Sequence, residues 1–153
     1  MRLFFGQITD SESAMKHDNH GLCLACQRIL NKYPDFDSDL RSWFMDLQYR
    51  FPDVHTSCGG RGRIEQEILF SRGASKAHYG QSSHNYNMAL DLWQLKDKVY
   101  TLDQDYFNKV MKDYDAKKFE WYGSSNAVFY ELPHIEIRAF RGLVALKLAT
   151  LVE

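Results

Sequence analysis

Two short segments hold the residues best suited to chemistry. In Ser82-Ser83-His84-Asn85-Tyr86-Asn87-Met88-Ala89-Leu90-Asp91, a histidine and an aspartate lie seven positions apart, with a turn-prone Asn-Tyr-Asn between them. Such a turn can bring an imidazole nitrogen and a carboxylate oxygen onto one centre. Asp91 falls in an apolar stretch from Ala89 to Leu95, where an unpaired carboxylate is costly and a cation would offset the cost. The second segment, Glu131-Leu132-Pro133-His134-Ile135-Glu136, offers His134 as a third ligand. Two His and one Asp suit a catalytic zinc, which takes three protein ligands and keeps a fourth position open. Zinc held this way lowers the pKa of its water to about 7 and polarises a scissile carbonyl.

Hydrolysis also needs a group to take the water's proton and pass one to the leaving amine. Glu131, three residues before His134, is the candidate, because Pro133 breaks the strand alternation and lets both face one cleft. Glu136 shares the face of His134 on a regular strand. It is either the rival base or a partner that orients an imidazole.

A further set, His17-x-x-His20-x-x-Cys23-x-x-Cys26, has the ligand types of a structural zinc site. The long loop that usually separates two ligand pairs is missing. On a continuous helix, residues at steps of three spiral around the axis and converge poorly. One catalytic zinc is therefore expected, with a second ion at His17, His20, Cys23 and Cys26 as the less favoured alternative. Three cysteines cannot all pair with one another, and no disulfide framework is expected.

The elements that must position these residues read as an α+β pattern, helices first and a small antiparallel sheet afterwards. Apolar residues at helical spacing run from Leu22 to Lys32. Asp37-Ser38-Asp39 can cap a second helix through Leu40, Trp43, Phe44 and Leu47, limited by Pro52. Val54 to Ser57 reads as a strand, Cys58 to Arg63 as a glycine-rich turn, and Ile64 to Phe70 as a helix. Met88 to Leu95 and His134 to Ile137 read as strands. Asp103 to Lys117 reads as a helix, and Leu143 to Val152 as a closing helix or strand. Trp93 and Trp121 are expected in the core. One domain over 1–153 is expected, with a helical region over 1–52 and the motif-bearing core over 54–138.

Bulk composition narrows the classes. Hydrophobic residues at 44% and charged residues at 25% are those of a soluble globular chain, and 14% aromatic residues argue against disorder. A net charge of -1 offers no long-range field for nucleic acid. The apolar run at Leu3-Phe4-Phe5 is too short for a secretory signal, and no segment approaches the length of a membrane span. Neither a nucleic-acid partner nor membrane insertion is expected.

The ordered blocks Ser82-x-His84, Ala89-x-Asp91 and Glu131-x-x-His134 resemble signatures of the D-alanyl-D-alanine/L-alanyl-D-glutamate zinc metallopeptidases. That family includes phage endolysins and vancomycin-resistance D,D-peptidases, and its signatures are Ser-x-His-x-x-Gly-x-Ala-x-Asp and Asp/Glu-x-x-His. Thr56-Ser57-Cys58-Gly59-Gly60-Arg61, Glu65-Gln66 and Gly73-Ala74-Ser75-Lys76-Ala77 are similar to the family's Ser-Gly-Tyr-Arg, Gln and Gly-x-Ser pattern, and Trp121-Tyr122-Gly123 to its Trp-Gly stretch. The resemblance spans about residues 54–138. It implies His84, Asp91 and His134 as zinc ligands and Glu131 as the general base. Arg61 would bind substrate or stabilise the oxyanion, and Ser82 would lie near the substrate.

The implied substrate is a peptidoglycan stem peptide. The first reading is a phage endolysin of L-alanyl-D-glutamate type, monomeric, made in the cytoplasm of the producing cell and acting on the periplasm or cell wall after release. Alternatives are a D-Ala-D-Ala carboxypeptidase or dipeptidase with the same site, and a non-catalytic zinc-stabilised binding module. Two positions depart from the pattern. Asn87 stands where the family has glycine, which suits a position with positive φ. Glu131 stands where endolysins more often have Asp.

Overall fold

Leu40, Phe44 and Leu47 recur at helical spacing and are all buried, so one stripe of a helix faces the core. The computed structural model of the chain describes residues 22–127 and 129–153. In it this helix, α2, spans Ser38–Arg50, and the Asp37 side chain caps it by accepting from the Leu40 amide at 2.9 Å. It follows α1, Leu24–Asn31, whose N-cap is Cys23. Then come β1 (Val54–Cys58), α3 (Arg63–Ser71), a 3₁₀ turn (Ser83–Tyr86), β2 (Ala89–Lys96) and β3 (Val99–Thr101). The chain continues with α4 (Gln104–Val110), β4 (Phe119–Trp121), β5 (His134–Ile137) and α5 (Phe140–Ala145). This is an α+β domain with helices and one antiparallel sheet, as the pattern implied.

The strands lie in the order β1-β2-β5-β4, and β3 pairs with the far end of β2. Alternation sorts the two faces of the sheet. Leu90 and Leu92 on β2 and Ile135 on β5 are fully buried in the core with Phe44, Phe107 and Met111. Their neighbours Asp91, His134 and Glu136 line a cleft. Among the described residues no helix is long and apolar enough to cross a membrane.

Two expected elements are shorter than the pattern suggested. α4 stops at Val110 rather than Lys117. The Asp115 side chain accepts from the amides of Lys117 and Lys118, building a turn that competes with helix and feeds β4. The closing helix spans Phe140–Ala145, so it begins before the expected Leu143 and ends well short of Val152. There Lys147 adopts φ 55, and the bonds Lys147 N–H to Val144 O and Leu148 N–H to Leu143 O close a Schellman motif. Leu146 and Leu148 are left exposed. β3 and β4, three residues each, carried too little pattern to be foreseen.

Candidate metal centre

Asp91 sits at a crossing of registers. It lies directly opposite His134 on β5 and opposite Cys58 on β1. Directly opposed residues share a face, with Cβ atoms about 4.5–5.5 Å apart. A bulge between Thr56 and Cys58 shifts the β1 register to produce the second pairing. His84 arrives from the 3₁₀ turn just before β2. Ser82 caps that turn by accepting from the His84 amide, while Asn85 Oδ1 accepts from the Ser82 amide. Asn87 ends it at φ 59, which swings the chain into β2.

That φ lies in the left-handed region, which glycine and asparagine adopt most readily. The Asn87 side-chain oxygen is buried without a hydrogen-bond partner among the described residues, and a Cβ on Gly60 would lie 2.1 Å from it. Asn87→Ala is expected to cost about 1–2 kcal/mol, the left-handed penalty of an ordinary residue. Asn87→Gly, which also removes the unpaired oxygen, should stay near wild type. Urea denaturation of both variants checks this, and equal losses would refute it.

Asp91 joins two overlapping groups of ligand atoms, one with Cys58 and His84 and the other with Glu131 and His134. Asp91 Oδ1 is 3.2 Å from His84 Nε2 and 3.3 Å from His134 Nδ1. Donors on a tetrahedral zinc stand about 3.4 Å apart, given bonds of about 2.1 Å. The far nitrogens are already engaged. His84 Nδ1 donates to Gly59 O at 2.7 Å, and His134 Nε2 meets Glu136 Oε2 at 2.9 Å. In the neutral tautomers these bonds select, both remaining lone pairs face a carboxylate oxygen, an arrangement that calls for a cation. By type, two imidazoles and a carboxylate suit zinc, and the two edges at Asp91 Oδ1 have the length zinc requires.

The electrostatics agree. Burial opposes charge on His84, but the Asp91 carboxylate and Cys58 outweigh it and push the imidazole up to about 10. Burial also works against His134, where bonds to Asp91 and Glu136 prevail and raise it. Burial works against the Asp91 carboxylate too, yet the two imidazoles hold it well below the usual carboxylate range.

The two glutamates differ in their surroundings. Glu136 is buried, and its oxygens take Ser83 Oγ at 2.6 Å, Tyr122 Oη at 2.7 Å and His134 Nε2 at 2.9 Å. Glu131 is exposed. A turn closed by His134 N–H to Glu131 O at 3.1 Å carries it beside the cluster, and its carboxylate, Asp91 and His134 offer ligand atoms within 4.8 Å of one another. Cys58, His84 and Asp91 form an overlapping set.

Arg61 is 8% exposed, with one guanidinium nitrogen 3.0 Å from Gln66 Oε1 and another 3.6 Å from Asp91 Oδ2. Gln66, fully buried, also accepts from Asn85 and donates to Ser75 Oγ and Ala77 O. The Gln and Gly-x-Ser blocks thus form the frame that holds the arginine and the 3₁₀ turn. All six residues singled out in the sequence, Arg61, Ser82, His84, Asp91, Glu131 and His134, line one cleft of ≈ 540 Å³. Trp121 is buried as expected, whereas Trp93 lines this cleft.

Cys58, Ser83 and Tyr122 were missed. Each lies inside or beside a quoted motif, but only the folded registers show what it touches. Of the second constellation, His17 and His20 lie outside the described residues. Cys23 and Cys26 are grouped with His55, which the sequence reading did not include.

No family model matches the sequence. Among solved structures, the chain is similar to the L-Ala D-Glu endopeptidase ChiX of Serratia marcescens. The TM-score is 0.56 over 88% of this chain and 98% of that chain, at 18% sequence identity. The likeness is one of fold.

Proposed function

We propose that the protein is a zinc-dependent peptidase that cleaves peptidoglycan stem peptides, with the L-Ala–D-Glu bond as its target. One observation carries the reading: Asp91 Oδ1 stands between His84 Nε2 and His134 Nδ1 while the other nitrogen of each ring is tied down. The fold shared with an L-Ala D-Glu endopeptidase supports the choice of bond. Zinc bound by His84, Asp91 and His134 would supply Lewis acidity to the scissile carbonyl and acidify the attacking water.

The chain's own groups do the remaining work. Glu131, open to the cleft, takes the proton of the attacking water and delivers it to the leaving amine. Arg61, set by Gln66, directs a guanidinium nitrogen toward the oxyanion that develops on the carbonyl. Arg141 on the cleft wall is a second cation for the carboxylates of a stem peptide. Glu136 works through His134, holding its ring with Nδ1 toward Asp91, where it would be free to ligate the metal. Ser82, at the cleft margin, lies near the substrate. The enzyme acts as a monomer on the cell wall after release from the cytoplasm of the producing cell, as a phage endolysin does.

The test is digestion of purified peptidoglycan, with the new termini read by mass spectrometry. New C-terminal L-Ala is expected, abolished by a chelator and restored by zinc. Released D-Ala instead would move the assignment to a D,D-peptidase with the same site. Bound zinc with no cleavage would refute the enzyme reading and favour a binding module.

A further inference from the structure

A second cluster lies away from the cleft, where α1 and α2 pack on β1. Cys23, Cys26, Gln48 and His55 are all buried there, each 2% exposed or less. The Gln48 amide is fixed in orientation, because its oxygen accepts from the Cys23 amide at 2.8 Å and its nitrogen donates to Val54 O at 2.6 Å. That nitrogen also lies 3.3 Å from Cys26 Sγ and 3.7 Å from Cys23 Sγ. A donor turned on two sulfurs suits thiolates.

His55 Nδ1 lies 3.5 Å from Cys23 Sγ, 3.6 Å from Cys26 Sγ and 3.5 Å from the Gln48 amide nitrogen. One ring nitrogen has a single lone pair or a single proton, so hydrogen bonding alone uses one of these contacts well. A metal ion uses both sulfurs and the nitrogen together. The S···N edge of a tetrahedral zinc, with bonds of about 2.3 Å to sulfur and about 2.1 Å to nitrogen, is about 3.6 Å. A disulfide-exchange role is opposed by burial, since an attacking thiolate needs access to a sulfur.

We propose that Cys23, Cys26 and His55 hold a zinc ion of their own, a structural site that pins α1 to β1. Soft thiolates with imidazole select zinc over the oxygen-seeking cations. These residues supply three of the four positions of a tetrahedron, and the Gln48 amide nitrogen, a donor rather than a ligand, stands against all three and must turn aside to admit the ion. The role follows from what β1 carries. Beyond His55 the strand ends at Cys58, and the chain leads on to Gly59, whose carbonyl orients His84, and to Arg61. The ion would tie α1 to the strand that leads into the cleft.

The experiment uses the full chain carrying His84→Ala, His134→Ala and Cys58→Ser, which strips the cleft of two imidazoles and its only thiol. This variant is expected to bind one cobalt(II) with the near-ultraviolet thiolate-to-cobalt charge-transfer band. With zinc, X-ray absorption should show two sulfurs at about 2.3 Å. Adding Cys23→Ala and Cys26→Ala should abolish the band. X-ray absorption needs no change at the cysteines, so it stands even if the latter variant misfolds. Absence of the band, a zinc shell without sulfur, or a mass deficit showing a Cys23–Cys26 disulfide would overturn the site. Loss of peptidoglycan cleavage in the same variant bears only on the cleft.

Discussion

Replacing Glu131 by alanine is expected to lower stem-peptide hydrolysis by about 10²–10⁴-fold while leaving the zinc content unchanged, because a general base contributes to the transition state and not to metal binding. Its exposure lets it exchange protons with water, and its turn sets the carboxylate beside Asp91 and His134. The rival carboxylate, Glu136, is committed to three donors and has little capacity to take up a proton from elsewhere. Glu136→Gln should instead weaken zinc binding by about 10–100-fold, as changes to groups that orient a ligand do. Excess zinc should then return most of its turnover. Measuring kcat across a zinc titration separates the two residues, since Glu131→Ala should stay inactive at saturation. Full activity of Glu131→Ala under those conditions would move the base elsewhere.

The difference between these glutamates marks where sequence reasoning ran out. Alternation alone places His134 and Glu136 on one face, and a turn at Pro133 brings Glu131 beside them. The choice between base and support needs Ser83 and Tyr122, which reach Glu136 from 53 and 14 positions away. His84 and Asp91 were legible because they are 7 residues apart and joined by a capped turn. His55 was not, because it meets Cys23 across 32 positions and Cys26 across 29, through packing that no local period records. Cys58 stayed hidden for a related reason: a β-bulge sets its register with Asp91. The largest departures are in two helices: α4 stops at Val110, ahead of the turn that Asp115 builds, and the closing helix starts before Leu143 and ends at the left-handed Lys147.

His134→Ala should abolish both zinc binding in the cleft and hydrolysis, and it should also cost stability for a reason apart from the metal. The imidazole is the cationic or donor partner of a buried carboxylate, 2.9 Å from Glu136 Oε2. Burial raises the cost of ionising Glu136, and the bond from His134 leads the interactions that hold its pKa below the usual value, followed by Ser83. With the ring gone, Ser83 and Tyr122 must support the charge alone. Hydrogen bonds to charged groups are worth about 1.5–3 kcal/mol, which sets the scale of the expected loss in denaturant unfolding of the zinc-free proteins. Adding Glu136→Gln to His134→Ala removes the stranded charge and should recover part of that stability, but none of the zinc or activity. The two readouts therefore move apart in the double variant. Zinc content unaltered in His134→Ala would remove this residue from the ligand set, and stability unaltered would mean that Glu136 does not depend on it.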